Sequence, residues 1–585
     1  MFVMTDRTIT RHQTDILILG SGGAGLFAAL HAHKAAPDLD ITVAVKGLLG
    51  KCGCTRMVQG GYNVAIGNGD SVERHFMDTI QGGKWLNNQD LAWTLINTAI
   101  ERIHELENDL GCFFDRNQDG SVHLKAFAGQ TFDRTVHKGD LTGIEIINRL
   151  AEQVWARRIN RLEEHRAIAL VPAKDGSRIS GVLLIDVRDG GFHFVQAKAV
   201  LLAAGGGPTM YRYHTPSADK TCDGMAMALR AGLSLRDMEM VQFHPTGLIA
   251  GRETRITGTI IEEGLRGAGG YLLNGEQERF MEKYDPRGER ATRDIVSRSM
   301  FEEMRQGRTG PNDGLFITMR HLDHDLVRRQ FKGMVERCAD CGFDLVDGLV
   351  EVVPTAHYIM GGVEYDTSCR TSVEGLFAAG EDTGGVHGAN RLGGNGVANS
   401  TVFGGIAGEV MGPWVTSDGA FADPDQSVIE ATIEHSLQPF GKSSGDLLEM
   451  RERLEDIMWD DVGIIRDPDR MKRARQSLVD LESELAETGV AASDRAFNLT
   501  WHDWLNLDSL ILVSKAITEA ALARENSRGA HYREDFPDEG DLETSYFTTA
   551  RLNGGTIEVG TAPVEFSRVR PGDTLIREDE ETAVA

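Results

Sequence analysis

The sequence predicts an α/β fold: a doubly wound nucleotide-binding domain interrupted by an insertion and followed by a helical domain. Three observations carry this. Near the N-terminus the apolar run Asp15-Ile16-Leu17-Ile18-Leu19 opens into Gly20-Ser21-Gly22-Gly23-Ala24-Gly25 and then into Leu26-Phe27-Ala28-Ala29-Leu30. Residues 354–396 form a second glycine-dense region, PTAHYIMGG, GLFAAGED and HGANRLGGNG, with a strand-like 375–381 at its centre. From about residue 429 the pattern becomes helical and charged, as in Leu447-Leu448-Glu449-Met450-Arg451-Glu452-Arg453-Leu454.

The first element is G-x-G-x-x-G in a strand–turn–helix setting, which makes it far more specific than the motif alone. Gly20 allows the tight turn, Gly22 lets a pyrophosphate approach, and Gly25 lets helix and strand pack closely. All three are expected to meet the phosphates at the helix N-terminus. The next strand, Ile41-Thr42-Val43-Ala44-Val45, ends in Lys46 where an NAD fingerprint has an acid. That argues against a simple NAD site and leaves FAD open, with Lys46 kept as a cofactor-binding position. A further strand, Ala199-Val200-Leu201-Leu202-Ala203-Ala204, runs into three glycines. If it shares a sheet with 375–381, the nucleotide domain is 1–243 plus 357–428, and 244–356 is an insertion. Residues 429–535 form the helical domain. Residues 536–585 form a C-terminal extension, and its acidic end, 578–585, reads as a disordered tail.

Glycines beside cations in 354–396, His357 and Arg391 among them, suit a backbone cradle around a planar cofactor and an anionic substrate. Composition narrows the class. A chain of 585 residues holds several domains, and 41% hydrophobic with 25% charged residues is ordinary for a globular protein. The formal net charge of −27 disfavours nucleic acid and anionic membrane surfaces as partners. No apolar window is long enough to span a membrane. The first 14 residues lack an apolar core, so no signal peptide is expected. Seven cysteines are sparse and odd in number, which fits reduced thiols in a cytoplasm. Cys338-x-x-Cys341 has no second pair, so buried thiols are expected rather than a metal or an iron–sulfur cluster.

Further motifs extend along nearly the whole chain. They include Gln59-Gly60-Gly61, Arg134-Thr135, Asp140-Leu141-Thr142-Gly143, Asp223-Gly224-Met225-Ala226 and Met240-Val241-Gln242-Phe243-His244-Pro245-Thr246-Gly247. Glu263-Gly264-Leu265-Arg266-Gly267, Thr292-Arg293-Asp294-Ile295-Val296 and Ser527-Arg528-Gly529-Ala530-His531 follow. In this order they resemble the flavoprotein subunit of succinate dehydrogenase and fumarate reductase, a family that includes L-aspartate oxidase. The resemblance implies an FAD-binding Rossmann-like domain, an inserted α+β capping domain and a C-terminal helical domain.

It also implies hydride transfer at flavin N5 with proton transfer by Arg293, interconverting a C4 dicarboxylate and its unsaturated partner. An ordinary arginine is a poor acid, so Glu263 and Arg266, which match the family's proton relay, are expected to reload it. His244, His357 and Arg391 match carboxylate-binding positions, and arginine suits bidentate carboxylate contacts. Glu381 matches the residue on the FAD ribose and Asp223 another flavin contact. Thr55, Gln59, Gly60 and Gly61 match the segment passing the isoalloxazine ring, and Gly396, at the end of the glycine-dense region, is a further cofactor position. A small dicarboxylate and an iron–sulfur subunit are the implied partners. The implied location is cytoplasmic, reaching the inner face of a membrane only through a partner.

Two positions depart from the family. Aligned back from Gln59-Gly60-Gly61, the family's flavin-linking His is Cys54 here, so noncovalent FAD is expected, with a lower potential that favours fumarate reduction. Where the family has Thr before its relay Glu, this chain has Glu262. An ionised Glu262 would repel a substrate carboxylate. Three alternatives stand: Glu262 is protonated, it turns away, or the substrate differs at that end. A stand-alone oxidase or dehydrogenase of an amino- or alkyl-substituted dicarboxylate, like L-aspartate oxidase, therefore remains as a second reading. A non-catalytic FAD protein is disfavoured by the retained His244, Glu263, Arg266, Arg293, His357 and Arg391.

Overall fold

The structure is a computed structural model, and it describes residues 8–251 and 256–577. The acidic tail expected at 578–585 lies outside them.

A seven-stranded sheet organises the N-terminal half. Strand β1 (Ile9–Leu19) lies between β2 (Ile41–Val45) and Phe192–Leu202, parallel to both. Asn160–Glu163 extends the sheet beyond β2. On the other side, Phe192–Leu202 continues into an antiparallel meander with Ile179–Asp186 and His165–Pro172. Leu376–Ala378 returns from far downstream to pair in parallel with Phe192–Leu202, through Leu376↔Val200 and Ala378↔Leu202. Strand β1 is longer than its apolar run. The alternating segment before Asp15 pairs with 192–197, so its polar side chains remain on the solvated part of the meander.

Helix α1 (Gly23–Ala35) covers this sheet and is buried along its first ten residues. A Cβ on Gly25 would lie 2.0 Å from the Gly20 carbonyl oxygen, so glycine is obligatory where helix meets strand. The helix Asn395–Ser417 crosses α1 just as closely: Cβ atoms on Gly404 and Gly408 would each lie 2.4 Å from an α1 carbonyl oxygen.

A four-stranded antiparallel sheet runs in the order Val241–Leu248, Val350–Ile359, Leu315–Thr318, Tyr271–Leu273. It shares a core with the helix Arg293–Arg305 and the short helices after residue 323. Four helices, Gln426–Leu437, Leu447–Asp461, Pro468–Glu487 and Leu499–Ala523, follow as expected. Each begins at a side-chain cap, Asp425, Asp446, Asp467 and Asn498 in turn, whose oxygen accepts an N–H of the first turn. No strands are expected from the sequence in the extension after residue 535. The structure places a hairpin there, Tyr546–Asn553 with Thr556–Pro563, and pairs it with Leu235–Arg236. Among the described residues no helix is long and apolar enough to cross a membrane. Cys338 is buried near the end of its helix, and the cysteines are free.

Candidate active site

A cavity of about 740 Å³ opens between the seven-stranded sheet and the inserted sheet. Its nucleotide end is built by the first β-turn-α unit. Gly20 has φ +111, and a Cβ there would lie 2.2 Å from the Ala203 carbonyl oxygen. The N-terminus of α1 faces the cavity at Gly22 and Gly23 and has no side-chain cap. The positive dipole end there suits a phosphate. Gly25 does not line the cavity, in contrast to the expected phosphate contact. Its part is the helix–strand approach described above.

Glu381 also faces the cavity. Its Oε1 accepts the Ile359 N–H at 3.2 Å, and burial raises its pKa to about 8. A Cβ on Gly206 would lie 2.8 Å from that same oxygen, so the strand must pass bare beside it. A helix N-terminus facing the cavity, bare glycines and a buried acid with no ion-pair partner among the described residues fit a dinucleotide with hydroxyl groups.

Thr55, Gln59, Gly60, Gly61 and Gly396 line the cavity too. Thr55 Oγ1 accepts the Gly23 N–H at 3.1 Å and so holds its segment against α1. Cys54 lies on the wall, and burial, with Glu381 nearby, pushes its thiol far up, away from the thiolate.

Lys46 and Asp223 reach the wall, but they already have protein partners. Lys46 Nζ donates to Asp223 Oδ2 at 3.1 Å and to Asn506 Oδ1 at 2.8 Å. Arg166 Nη2 donates to Asp223 Oδ1 at 2.8 Å. Burial and Arg166 lower Lys46 to about 8, against the opposing pull of Asp223. This network joins the nucleotide domain to the helix Leu499–Ala523 through Asn506.

The far end of the cavity is cationic. His244, on the strand Val241–Leu248, and His357, on Val350–Ile359, face each other edge to face, with ring centroids 5.5 Å apart. Burial, then the arginines Arg293 and Arg391, holds both well below the usual histidine range, so both are neutral at pH 7. The Thr246 N–H donates to His244 Nδ1 at 3.3 Å, which leaves the His244 proton on Nε2. Thr215 Oγ1 lies 2.9 Å from His357 Nδ1.

Arg293 opens the helix Arg293–Arg305 and is buried. Its Nε and Nη2 donate to Glu263 Oε2 at 3.1 and 2.5 Å, and its Nη1 donates to Gln242 Oε1 at 3.0 Å. Arg266 Nη2 donates to Glu263 Oε1 at 3.0 Å from behind, outside the cavity lining. Burial alone would raise Glu263, but the two guanidinium groups outweigh it and keep the acid below its ordinary range.

Arg391 differs from the other cations. Its hydrogen bonding within the protein is a single long contact among the described residues, Nη1 to the Leu392 carbonyl oxygen at 3.4 Å. Its Nε is buried without a partner, and the guanidinium lies 4.4 Å from the Tyr358 ring centroid. Burial and the nearby Arg293 lower it to about 10. A buried cation with no hydrogen-bonded carboxylate among the described residues, though Glu381 and Glu263 lie near enough to act on it, is costly unless a ligand supplies one.

Glu262 lines the same region, but it is not an isolated acid. Lys125 Nζ donates to its Oε1 at 2.6 Å in a buried pair. Burial raises the Glu262 pKa, Lys125 opposes this, and Asp140 and Glu263 add to it. The cavity therefore gathers His244, Glu262, Glu263, Arg293, His357 and Arg391 in one place, with Arg266 directly behind.

Sequence reasoning missed three contributors. Lys125 stands 137 residues before Glu262 in an unremarkable segment and leaves no local signal. Tyr358, beside His357, supplies the ring under Arg391. Gln242 accepts from Arg293, and its Nε2 donates to the Arg391 carbonyl oxygen at 2.7 Å; it was visible inside Met240-Val241-Gln242-Phe243-His244 without a role.

Comparison with known proteins agrees with this architecture. Residues 15–397 match the family described as an FAD binding domain, and residues 451–575 match the fumarate reductase flavoprotein C-terminal family. A fumarate reductase (CoM/CoB) subunit of Methanothermobacter marburgensis is 38% identical over 538 residues, covering 90% of this chain and 95% of that one. A fumarate reductase flavoprotein subunit of Mycobacterium tuberculosis is 33% identical and covers 96% of this chain and 99% of its own. The flavoprotein of Escherichia coli quinol fumarate reductase, solved as a point variant, superposes with a TM-score of 0.90 at 31% identity, over 97% of this chain and 99% of that one. The chain thus belongs to the flavoprotein subunits of the succinate dehydrogenase and fumarate reductase family and is an FAD-dependent oxidoreductase.

Proposed function

We propose that this chain reduces a C4 trans-unsaturated dicarboxylate of the fumarate type to the saturated acid. The observation that carries this reading is the buried Arg391, without a hydrogen-bonded carboxylate partner among the described residues, lining the same end of the cavity as neutral His244 and His357 and Arg293. Bound FAD would supply the hydride from its reduced N5.

The chain's own residues account for binding and for the proton. Arg391 receives one carboxylate as a fork, where low dielectric strengthens the pairing. His244, with its proton on Nε2, donates a neutral hydrogen bond into the cavity. Arg293 is held by Glu263 and Gln242, so one face of its guanidinium stays fixed while a proton passes to the substrate carbon. Glu263 and Arg266 lie in line behind it and would return that proton from the interior. The 2.5 Å bond between Arg293 and Glu263 is short enough for such a path.

The domain limits expected from the sequence, 1–243 with 357–428, 244–356, 429–535 and 536–585, belong to this proposal. So do noncovalent FAD and an electron-donating iron–sulfur partner. The relatives named above support fumarate, since their names state it. An amino-substituted substrate loses support, because the carboxylate that would have met an ammonium group is already engaged by Lys125. The test is a substrate panel: fumarate with reduced viologen, then succinate, aspartate and substituted succinates with a dye. Fumarate turnover well above all others is expected. Aspartate oxidation exceeding it would overturn the proposal.

A further inference from the structure

Four side chains from four adjacent strands meet on one face of the meander, apart from the residues assigned to FAD or substrate. His165 and Asp186 are direct register partners, His193 follows on the next strand, and His12 comes from β1 beyond it. Only His165 also borders the large cavity.

His165 is buried, and its Nδ1 lies 2.8 Å from the Glu163 carbonyl oxygen. That bond needs the proton on Nδ1, so Nε2 carries a lone pair. Nε2 makes no hydrogen bond and sits 3.7 Å from Asp186 Oδ2. This is too long for a hydrogen bond. It suits two ligands on one metal, because zinc bonds of about 2.0–2.2 Å at a tetrahedral angle separate their donor atoms by about 3.4 Å. The His193 ring stands edge-on to His165 with centroids 5.0 Å apart. One ligand atom from each of His165, Asp186 and His193 falls within 4.8 Å of the others.

His12 completes the arrangement. Its Nε2 lies 3.0 Å from His193 Nδ1. Metal-bound imidazoles regularly donate their second N–H to a fixed acceptor, which sets the tautomer. With the His193 proton on Nδ1 and pointing at His12, Nε2 of His193 is left for a metal. Three imidazoles crowded beside a carboxylate, one with an unpartnered buried Nε2, are a poor hydrogen-bonded core and a good nitrogen–oxygen donor set. The competing cation is Arg188, whose Nε and Nη2 lie 2.9 and 2.6 Å from the Asp186 oxygens. Its own side chain is half exposed, so it can turn into solvent and leave Asp186 Oδ2 to a metal, while its backbone N–H keeps Asp186 Oδ1 at 2.9 Å.

We propose that His165, Asp186 and His193 bind one zinc ion, with His12 as the hydrogen-bonded partner of His193 and water in the fourth position. The ion would staple the three strands of the meander to one another and, through His193, fix His12 on β1.

The test uses the FAD-loaded enzyme expressed without a polyhistidine tag. Metal content is read by inductively coupled plasma mass spectrometry, and zinc affinity by competition with a chromogenic chelator. About one zinc per FAD is expected to survive gel filtration. His165→Gln and His193→Gln should each lower affinity about 100-fold or more, and His12→Gln about 10–100-fold. Arg188→Ala should raise affinity, because it frees Asp186. His193 is only partly buried, so if His165→Gln fails to retain FAD, His193→Gln and Arg188→Ala still decide the matter. Wild-type enzyme that neither retains zinc nor gains Tm when zinc is added overturns the proposal. So does zinc bound with equal affinity in His193→Gln.

Discussion

Replacing Lys125 by Met should make the stability of this enzyme depend on pH in a way that identifies Glu262 as the cause. Lys125 Nζ lies 2.6 Å from Glu262 Oε1, and both side chains are largely buried. The gross attraction at an effective dielectric of 20 is about 6 kcal/mol. Glu262 will not remain ionised without its partner, since burial already pushes its pKa up from 4.5 with Lys125 in place. It will take up a proton instead, and the loss is capped at the cost of protonating an acid of ordinary pKa.

At pH 7 that cap is about 2.5 pKa units, or about 3.4 kcal/mol. At pH 5 it is about 0.7 kcal/mol. The sign follows from linkage. The folded variant holds a proton that the unfolded chain has lost above pH 4.5, so stability falls as pH rises through that value. Guanidinium unfolding followed by flavin fluorescence, at pH 5, 6 and 7, reads the difference. In Lys125→Met/Glu262→Thr the pH-dependent part should vanish, and most of the loss at pH 7 should return. The KM for fumarate should stay flat over this range in both variants, because the folded single variant keeps Glu262 protonated. A deficit that is the same at all three pH values, or the same in the single and double variants, would refute the reasoning.

Three further outcomes are expected. Acid precipitation should release yellow FAD into the supernatant and leave a non-fluorescent band on a denaturing gel, because desolvation, with Glu381 nearby, holds the half-buried Cys54 thiol away from thiolate; a fluorescent band that disappears in Cys54→Ala would show a thioether instead. Arg293→Gln should lower kcat by about 10²–10⁴-fold with the FAD spectrum intact, and Arg293→Lys should recover little because a compact ammonium lacks the flat fork that spans Glu263 and Gln242; near-normal turnover would remove Arg293 from the chemistry. Arg391→Met should raise the KM for fumarate about 10–100-fold, the loss of charge-assisted hydrogen bonds of about 1.5–3 kcal/mol, yet leave the Tm of substrate-free enzyme unchanged or higher; a large drop in Tm would mean that Arg391 is structural.

The parts of this protein legible in its sequence are those whose chemistry is local. The turn from β1 into α1 is written in six consecutive residues, because tight turn, phosphate approach and helix packing each constrain one glycine. His357 and Arg391 stood out in the glycine-dense region, and His244, Glu263 and Arg293 through the ordered motifs that carry the family resemblance. What stayed hidden is non-local. Glu262 read as an unbalanced charge because Lys125 meets it only in three dimensions. Gly25 was assigned to phosphate because a motif does not separate packing from contact. Lys46 and Asp223 read as cofactor residues, while their charged ends meet Arg166 and Asn506, the latter 460 residues from Lys46. The hairpin Tyr546–Asn553/Thr556–Pro563 was missed because its alternation is largely solvated and its partner, Leu235–Arg236, contributes only two residues.

The late return of Leu376–Ala378 into the first sheet bears on how the protein is made. That strand pairs with residues about 176 positions earlier, and the helix Asn395–Ser417 then closes over α1. Until the ribosome has emitted those segments, the strand 192–202 keeps an unpaired edge and α1 keeps a bare apolar flank. Contacts so distant in sequence form slowly, and open strand edges aggregate while they wait. Cofactor capture is therefore a late event in synthesis. Free FAD added during refolding should raise the yield more than it raises the initial rate of secondary-structure formation.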